Sequence, residues 1–437
     1  MPRMLRSLQL LFLFLIFILC LPLWADVQPW TKETQAVLAW KAVEDDAGGF
    51  YLLWTRQDPS GLRLMGQHVM GDGTALWTVP GETLLPVVSD TASWTAFADS
   101  NKGLALSWVN EGKVWVQRWA PDGVPVWKTP VQVSDTRFIS STPVGVADGG
   151  GGLYIVWVEK MFANRAVLKS QHLNAQAVPL WPDAIRISLR PSDQKQPSIA
   201  FDRAAGAMVS WADYRDLASD WRVQRINYQG FRLWGLEGIE ITAPAGNGSS
   251  PLRLAPWGQG SLTVAWVDSD RGHRRVKERQ INPRGTLVSE EKLPPLTNGE
   301  EWNPVLTGEG DGHYWVGWED NRNERTWQVY VRSGTGGSRD LALAPSNGDQ
   351  GHLALSDDNA QGVFAVWVDN RADSPAIYGQ HLNAAGQALW EISGREMAAH
   401  LKHPDTLALL ALGSGHEVLV WSDQLVKGQH ALYWQFF

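Results

Sequence analysis

The sequence contains almost no cysteine. Of its 437 residues only Cys20 carries a thiol, and it lies inside an apolar N-terminal run. Small secreted domains are usually held together by disulfide bonds, so this chain must instead be stabilised by a large core. Charged residues make up only 19%, which argues against a disordered or coiled-coil protein. The net charge of −8 argues against a general binder of nucleic acid or anionic membranes.

Compact catalytic motifs and helical periodicity are also missing. The sequence has no Gly-x-Ser-x-Gly elbow, no His-Glu-x-x-His and no phosphate-binding loop. No segment keeps a 3.6-residue apolar period, so we expect few helices. No acidic cluster has the spacing of a calcium loop, and we predict neither a bound metal nor a cofactor. A carbohydrate-active site with two carboxylates from different segments stays open, because such residues meet only in the fold.

Only the N-terminus carries a long apolar run. Arg3 and Arg6 precede an uncharged apolar stretch that ends at Ala25. This pattern predicts a signal peptide over residues 1–25 and an exported chain, periplasmic or secreted, over residues 26–437. An uncleaved anchor is the alternative, although the run is short for a membrane span. No later stretch has the length of a transmembrane helix, so we expect no span in the mature chain.

A repeat fills the rest of the sequence. A Gly, then four or five mostly apolar residues, then a Trp recur about every 50 residues. One unit cannot bury both faces of its sheet, so we predict that these indoles form the core between neighbouring units. The eight repeated tryptophans are Trp54, Trp108, Trp157, Trp211, Trp266, Trp318, Trp367 and Trp421.

Each unit has further internal order. An Asp often precedes the repeated Trp by nine residues, and a Gln is followed ten residues later by a second Trp. Turn residues separate four short runs rich in Val, Leu, Ile, Trp and Tyr. Repeated four-stranded units are typical of a β-propeller. We therefore predict an all-β protein with a single eight-bladed propeller of four-stranded antiparallel blades, whose last blade is closed by an N-terminal strand at residues 27–33. The Gln–Trp pairs are Gln67–Trp77, Gln117–Trp127, Gln171–Trp181, Gln224–Trp234 and Gln380–Trp390.

In three units the repeated Trp is the first residue of a Trp-x-Asp-x-Arg motif, and the last of these units also has a Gln-containing strand and Leu389-Trp390. In these features the chain resembles the propeller repeat proteins secreted by bacteria. A weaker similarity is to eight-bladed quinoprotein-like propellers, through Asp72-Gly-Thr-Ala-Leu-Trp77 and a second copy in the next unit. That resemblance would imply a quinone site with calcium and adjacent cysteines, which the mature sequence lacks. Non-enzymatic relatives that act as envelope scaffolds remain open.

Two sets of polar residues are candidates for a ligand or partner site. The Asp-x-Arg pairs should lie in the loops after the second strands, where they either brace those loops or form a polar ring. The fifth unit carries the most basic run of the chain, either a solvated hairpin or a contact for an acidic partner or glycan. The candidates are Asp213, Arg215, Asp320, Arg322, Asp369 and Arg371 in the pairs, and Arg271, His273, Arg274 and Arg275 in the basic run.

These features favour an exported, non-catalytic binding or scaffold protein, a monomer or part of an envelope complex. We expect it to engage a protein or polysaccharide through its loop face or an outer blade edge. The alternative is an extracellular glycosidase or lyase with carboxylates at the mouth of the channel.

Overall fold

The computed structural model describes residues 37–437 except for short segments. Those segments are residues 60, 79–80, 89–93, 162–164, 216–217, 242–251, 271, 289–298, 309, 324, 335–338, 414–415 and 427–428. Within the described part every regular element is a strand. The predicted signal peptide and the predicted closing strand at residues 27–33 lie outside the described residues.

The 30 strands form eight separate antiparallel sheets, which we number as blades in chain order. Blade 1 contains β1 (Val37–Glu44), β2 (Phe50–Asp58), β3 (Gly61–Val69) and β4 (Glu82–Val88), and blade 2 contains β5 (Trp94–Ala98), β6 (Leu104–Asn110), β7 (Lys113–Trp119) and β8 (Val131–Gln132). Blade 3 contains β9 (Ile139–Ala147), β10 (Leu153–Lys160), β11 (Ala166–Leu173) and β12 (Ile185–Arg186), and blade 4 contains β13 (Asp193–Phe201), β14 (Ala207–Arg215), β15 (Ala218–Ile226) and β16 (Ile239–Glu240). Blade 5 contains β17 (Arg253–Trp257), β18 (Ser261–Asp270) and β19 (His273–Ile281), and blade 6 contains β20 (Glu301–Gly308), β21 (Tyr314–Asp320), β22 (Gln328–Ser333) and β23 (Leu341–Ala342). Blade 7 contains β24 (Gln350–Asp357), β25 (Val363–Asp369), β26 (Ala376–Leu382) and β27 (Arg395–Ala398), and blade 8 contains β28 (Thr406–Ala411), β29 (Glu417–Val426) and β30 (Gln429–Phe436).

Strands pair in chain order within every blade, so each sheet is a simple meander. Six blades have four strands, and the described residues of blades 5 and 8 form three. The first strands of consecutive blades contact one another all the way round, including β28 with β1. The first strands therefore surround the axis of a closed ring. This confirms the predicted eight-bladed β-propeller.

Hydrophobic clusters between the blades hold the ring together. Eight clusters are present, and each joins two consecutive blades. The cluster that closes the ring packs Phe50 and Leu52 of blade 1 against Val418 and Leu432 of blade 8. A single small sheet cannot cover both of its faces, whereas a closed ring covers each face with the next blade.

The repeated tryptophans lie in the second strand of all eight blades. Seven of them are less than 2% exposed, and Trp108 is 6% exposed. Because full burial of an aromatic side chain removes a large apolar area from water, these indoles are a major source of stability at the blade seams.

Successive antiparallel strands reverse direction, so the loops of each blade alternate between two faces of the ring. We call one of them the AB face. It carries the turns between first and second strands, such as residues 45–49, and the turns between third and fourth strands, such as residues 120–124. The opposite BC face carries the loops between second and third strands and the connections from blade to blade.

Candidate functional site

The Asp-x-Arg pairs form internal clasps at the BC ends of the second strands. In blade 7 the Trp367 indole N–H donates to Asp369 Oδ2 at 3.2 Å, and Arg371 donates to the same carboxylate. Gln350 Nε2 adds a third donor at 2.8 Å. The Arg371 guanidinium lies 3.9 Å from the centre of the Tyr378 ring. The charged groups of this pair are thus occupied by their own blade.

At the Asp369 carboxylate, the hydrogen bonds together lower the pKa by more than burial raises it. Burial alone would raise the pKa of Asp369, but the bonds from Arg371, Gln350 and Trp367 hold its pKa below the ordinary value. The side chain of Asp369 is 0% exposed, so it is not presented to a ligand.

Blade 6 repeats the clasp. Asp320 accepts from the Trp318 indole at 3.1 Å and from Arg322 Nε at 2.9 Å. Arg322 also pairs with Asp340 at 2.8 Å and lies 4.0 Å from the centre of the Tyr330 ring. These contacts brace the loop, which is the first of the two roles considered from the sequence.

In blade 4 the carboxylate is again buried. The Trp211 indole donates to Asp213 Oδ2 at 3.0 Å, and Asp213 is 0% exposed. Arg215 ends β14, and its side chain is not described. The three predicted pairs therefore sit at equivalent places in different blades and do not converge on one site.

The residues of the basic run in blade 5 differ in their burial and in their contacts. Arg271 lies outside the described residues, and His273 Nδ1 is 3.2 Å from Glu300 Oε1. Arg274 is exposed, with its guanidinium 4.4 Å from the centre of the Trp302 ring. Arg275 is 3% exposed and donates to the backbone oxygen of Gly299. Of the described residues in this run, Arg274 is exposed, His273 is partly exposed and Arg275 is buried.

The repeated Gln and Trp residues stabilise turns on the AB face through hydrogen bonds. Gln67 accepts from the backbone N–H groups of His68 and Trp77, each at 2.9 Å, and its amide donates to the Trp77 oxygen at 3.3 Å. The Trp77 indole then donates to the oxygen of Pro121 in blade 2 at 2.8 Å. Trp127, Trp181 and Trp234 reach the next blade in the same way.

The Asp that precedes five of the repeated tryptophans by nine residues also lies on the AB face and is hydrogen-bonded there in blades 1 and 4. Asp45 accepts from Gly49 N at 2.8 Å and from His68 Nε2 at 2.8 Å, and the His68 ring stacks on Tyr51 at 4.2 Å. Asp202 occupies the same place in blade 4 and pairs with Arg225 at 2.8 Å. The repeated polar residues of this face are therefore occupied by the fold.

A cavity of about 390 Å³ opens on the BC face, where blades 6, 7 and 8 meet. Its walls come from the ends of second strands, from the loops that follow them and from the connections between blades. Lining residues are Trp302, Glu319 and Trp327 from blade 6, Asp349, His352 and Asn370 from blade 7, and His403 and Asp405 from the connection into blade 8.

A backbone irregularity in the first strands shapes this cavity. The pairing of β20 with β21 and of β24 with β25 is interrupted by a bulge, and Asn303 and His352 take positive φ values of 48° and 54°. The first strands of blades 3 and 4 carry the same bulge, with positive φ values of 44° at Thr142 and 52° at Gln196, so it is a repeated feature of the blades. Glu319 supports the bulges of blades 6 and 7, because it accepts from His352 N at 2.8 Å and from Asn303 Nδ2 at 3.0 Å.

The acids of the cavity differ in exposure. Glu319 is half-buried, and burial raises its pKa. Asp349 is exposed and accepts the backbone N–H of Trp327 at 2.9 Å. Asp405 is exposed and accepts the hydroxyl of Ser422. Each carboxylate thus accepts at least one hydrogen bond from the protein.

The sequence analysis did not identify the cavity residues, although the repeat carried a signal for two of them. Glu319 follows the repeated Trp318, a place that holds Thr, Val, Ala or Ser in every other unit. Trp302 pairs with Glu319 across the β20–β21 ladder, where blades 4 and 7 place Lys195 and Gly351. A residue that departs from a repeated pattern is a better functional candidate than one that follows it. No such signal marked His403 or Asp405, which lie in a connection.

No group of three or more His, Cys, Asp or Glu side chains in the described part of the chain is arranged to hold a metal ion. The described residues also include no helix with the length and apolarity needed to cross a membrane.

The chain matches no protein-family model and no curated protein. A puromycin-hydrolysing peptidase from Mycobacterium tuberculosis aligns with 14% identity and a TM-score of 0.48, over 88% of this chain and 61% of the peptidase. A lectin from Burkholderia pseudomallei aligns with 12% identity and a TM-score of 0.47, over 83% of this chain and 100% of the lectin. An ulvan lyase aligns with 8% identity and a TM-score of 0.47, over 91% of this chain and 93% of the lyase. These similarities assign no activity, and the resemblance to secreted bacterial repeat proteins stays a prediction.

Proposed function

We propose that the protein is a saccharide-binding propeller and that the cavity between blades 6, 7 and 8 holds a sugar unit of a glycan. The observation that carries this proposal is the pairing of two half-buried indoles, Trp302 and Trp327, with exposed polar groups in one open cavity.

The chemistry of the wall suits a sugar. The C–H face of a pyranose packs on an aromatic ring, while its hydroxyls need donors and acceptors around the rim. Asp349 and Asn370 supply oxygen acceptors, and Asn370, His352 and His403 supply nitrogen groups, all of them exposed. A protein partner at an outer blade edge has no comparable observation in its favour.

Glycan cleavage is the second candidate. A glycosidase needs two carboxyl groups flanking the scissile bond, one of them a proton donor with a raised pKa. Glu319 has a raised pKa, but both of its oxygens already accept hydrogen bonds that support the bulges. These bonds favour a positioning role for Glu319 and hence binding without cleavage.

The test is a glycan panel titrated by isothermal calorimetry against the full chain, followed by Trp327→Ala. We expect this variant to lose at least about 10-fold in affinity, because removal of an aromatic anchor costs more than 1.4 kcal/mol in a binding site. Tyr214→Ala is the matched control, since Tyr214 is a 42% exposed aromatic residue at the BC end of β14.

Three results would contradict the proposal. They are failure to bind any glycan, equal affinity of Trp327→Ala and the parent, and loss of affinity in Tyr214→Ala as well. Release of new reducing ends from a bound glycan would instead establish the enzymatic alternative.

We also propose that the protein is exported. The support is the N-terminal sequence, in which Arg3 and Arg6 precede an apolar run that ends at Ala25. N-terminal sequencing of the protein from the envelope fraction of an expressing bacterium should begin at Asp26. Recovery of the chain in the cytoplasm with its first 25 residues intact would contradict export.

A further inference from the structure

A second cavity opens on the AB face, at the seam between blades 7 and 8. Its volume is about 240 Å³, and it shares no lining residue with the proposed saccharide cavity of the BC face. The turns between the first and second strands of the two blades line it, together with the apolar side chains of Phe364 and Leu412. Its polar side chains are those of Asp358, Asn359, His381, His416 and Glu417.

Glu417 departs from the repeat. In each of the other seven blades, the residue four positions before the repeated Trp is an aliphatic or aromatic residue, and it is buried. A blade is therefore built without a carboxyl group at this place, so the fold does not explain the acid in blade 8. The seven equivalent residues are Phe50, Leu104, Leu153, Ala207, Leu262, Tyr314 and Val363.

The carboxyl group of Glu417 is buried and only partly hydrogen-bonded. Glu417 is 3% exposed, and its Oε2 has no hydrogen-bond partner. Its side chain lies on the face of β29 that carries Leu419 and Trp421 towards blade 7, and it lines the cavity. Because an unpartnered buried oxygen costs free energy, a ligand that supplies a donor here gains affinity.

One nitrogen of His381 also lacks a partner. In blade 1 the equivalent His68 places Nδ1 2.8 Å from the backbone oxygen of Pro121 in the next blade, and blade 3 has a similar contact. His381 keeps the contact to its own blade, with Nε2 2.8 Å from Asp358 Oδ2, but its Nδ1 has no hydrogen bond to the described residues. When Nε2 of a neutral imidazole donates to a carboxylate, Nδ1 is an acceptor.

The charge around Glu417 is negative. Burial, together with the charges of Asp357, Glu44 and Asp358, raises the pKa of Glu417 to about 8, although a hydrogen bond with Ser356 opposes the shift. The described residues that line the cavity include no Lys or Arg, and no Lys or Arg contributes to the shift. The two histidines of the wall are its other titratable groups. A cation in this cavity would therefore be attracted by several carboxylates.

We propose that this cavity binds a small organic amine in its protonated form, and that the ammonium group donates to Glu417 Oε2 and to His381 Nδ1. An ammonium group has donors for both acceptors and brings the positive charge that the surrounding acids lack. The cavity is smaller than most sites for drug-sized ligands, so the carbon chain of the amine must be short enough to lie beside Phe364 and Leu412.

The test titrates n-butylamine, 1-butanol and butyrate into the full chain by calorimetry, in buffers that contain no amine. At about pH 9 we expect butylamine to bind at least about 10-fold tighter than butanol, because it forms a buried charge pair, and butyrate to be excluded. The Glu417 carboxyl must lose its proton to pair with the ammonium. Butylamine affinity should therefore rise with pH up to about 8, the pKa of Glu417, and level off above it.

Glu417→Gln is the informative variant, since an amide keeps the shape and one oxygen but carries no charge. It should lower butylamine affinity at least about 10-fold at about pH 9 and remove the pH dependence. Glu301→Gln is the matched control. Glu301 is another buried acid, with its pKa raised to about 7, but it lies at the start of β20 and lines neither cavity. This variant should bind butylamine as the parent does.

Three results would overturn the proposal. They are the absence of butylamine binding, equal affinity for butylamine and butanol, and an equal effect of Glu417→Gln and Glu301→Gln. Circular dichroism checks that both variants are folded. Each of these results leaves the saccharide proposal standing, because the two cavities share no lining residue.

Discussion

The two faces of the ring use similar residue types for different purposes. On the AB face, Asp, Gln and Trp recur from blade to blade, and each is paired with its own turn or with the next blade. On the BC face of blades 6 to 8, Trp302, Glu319 and Trp327 depart from the repeat and line an open cavity. Asp349 of the same cavity follows the repeat, because it accepts a backbone N–H as Asp193 and Glu300 do in other blades. Repetition thus marks residues that serve the ring, and departure from it marks the residues left for a ligand.

The largest expected effect separates the two kinds of tryptophan. Trp211→Ala removes a fully buried indole and should lower the free energy of unfolding by about 3–5 kcal/mol. Trp327→Ala truncates a half-buried cavity residue and should cost less than about 1 kcal/mol. Urea unfolding followed by circular dichroism measures both. Similar costs for the two variants would show that Trp327 belongs to the core.

The second prediction concerns aspartates. Asp202 is 1% exposed, and it holds Ala204 N, Gly206 N and the guanidinium of Arg225. Asp202→Ala leaves that buried cation unpaired, so we expect a loss of about 3 kcal/mol with glycan affinity unchanged. Asp349→Ala on the BC face should show the reverse, with little loss of stability and weaker binding. If Asp202→Ala were as stable as the parent, Asp202 would not have the structural role that distinguishes it from Asp349.

The third prediction concerns a buried acid at the start of β20. Burial raises the pKa of Glu301 to about 7, and its Oε2 accepts the N–H of Val276 in blade 5 at 2.7 Å. Gln194 and Gln350 perform the same task at equivalent places in blades 4 and 7. Glu301→Gln should therefore keep the bond without the charge.

The sign of the pH effect follows from the raised pKa. Between the ordinary pKa near 4.5 and about 7, the folded state holds a proton on Glu301 that the unfolded state has lost, so stability falls as pH rises through this window. Glu301→Gln should be more stable than the parent by about 1–3 kcal/mol at pH 8 and nearly equal to it at pH 5. Thermal unfolding at the two pH values measures this, and an equal difference at both would contradict it.

The smallest expected effect is a difference in stability between the alanine variants of two glycines that lie near one indole on the AB face. A Cβ at Gly285 would lie 2.8 Å from Cδ1 of Trp234 in the preceding blade, whereas Gly235 has open space around it. Both have positive φ, 82° and 75°, so both Ala variants share the backbone strain. Gly285→Ala should cost about 1 kcal/mol more than Gly235→Ala. Equal melting temperatures would show that the blade contact adjusts without cost.

The architecture was readable from the sequence because its causes are local and repeated. A Trp in the second strand recurs in all eight units, and a Gln ten residues before a second Trp recurs in five of them. Together with the turn residues they specify a blade, and eight units specify the ring. The Asp-x-Arg pairs were predicted in the loops after the second strands, whereas Asp320 and Asp369 are the last residues of those strands. Their buried contacts depend on partners from other strands, such as Gln350 and Tyr378 in blade 7. Sequence spacing does not show such partners.

The cavity shows most clearly where prediction from the sequence ends. The sequence alone determined which positions repeat, and therefore that Glu319 and Trp302 depart from the pattern, because periodic burial imposes the same residue type at equivalent places. Only the tertiary structure decided that these two residues meet His352 and Asp405 around one opening. The reason is that the opening is formed by loops from three blades, whose distances are set by the closure of the ring and not by spacing along the chain.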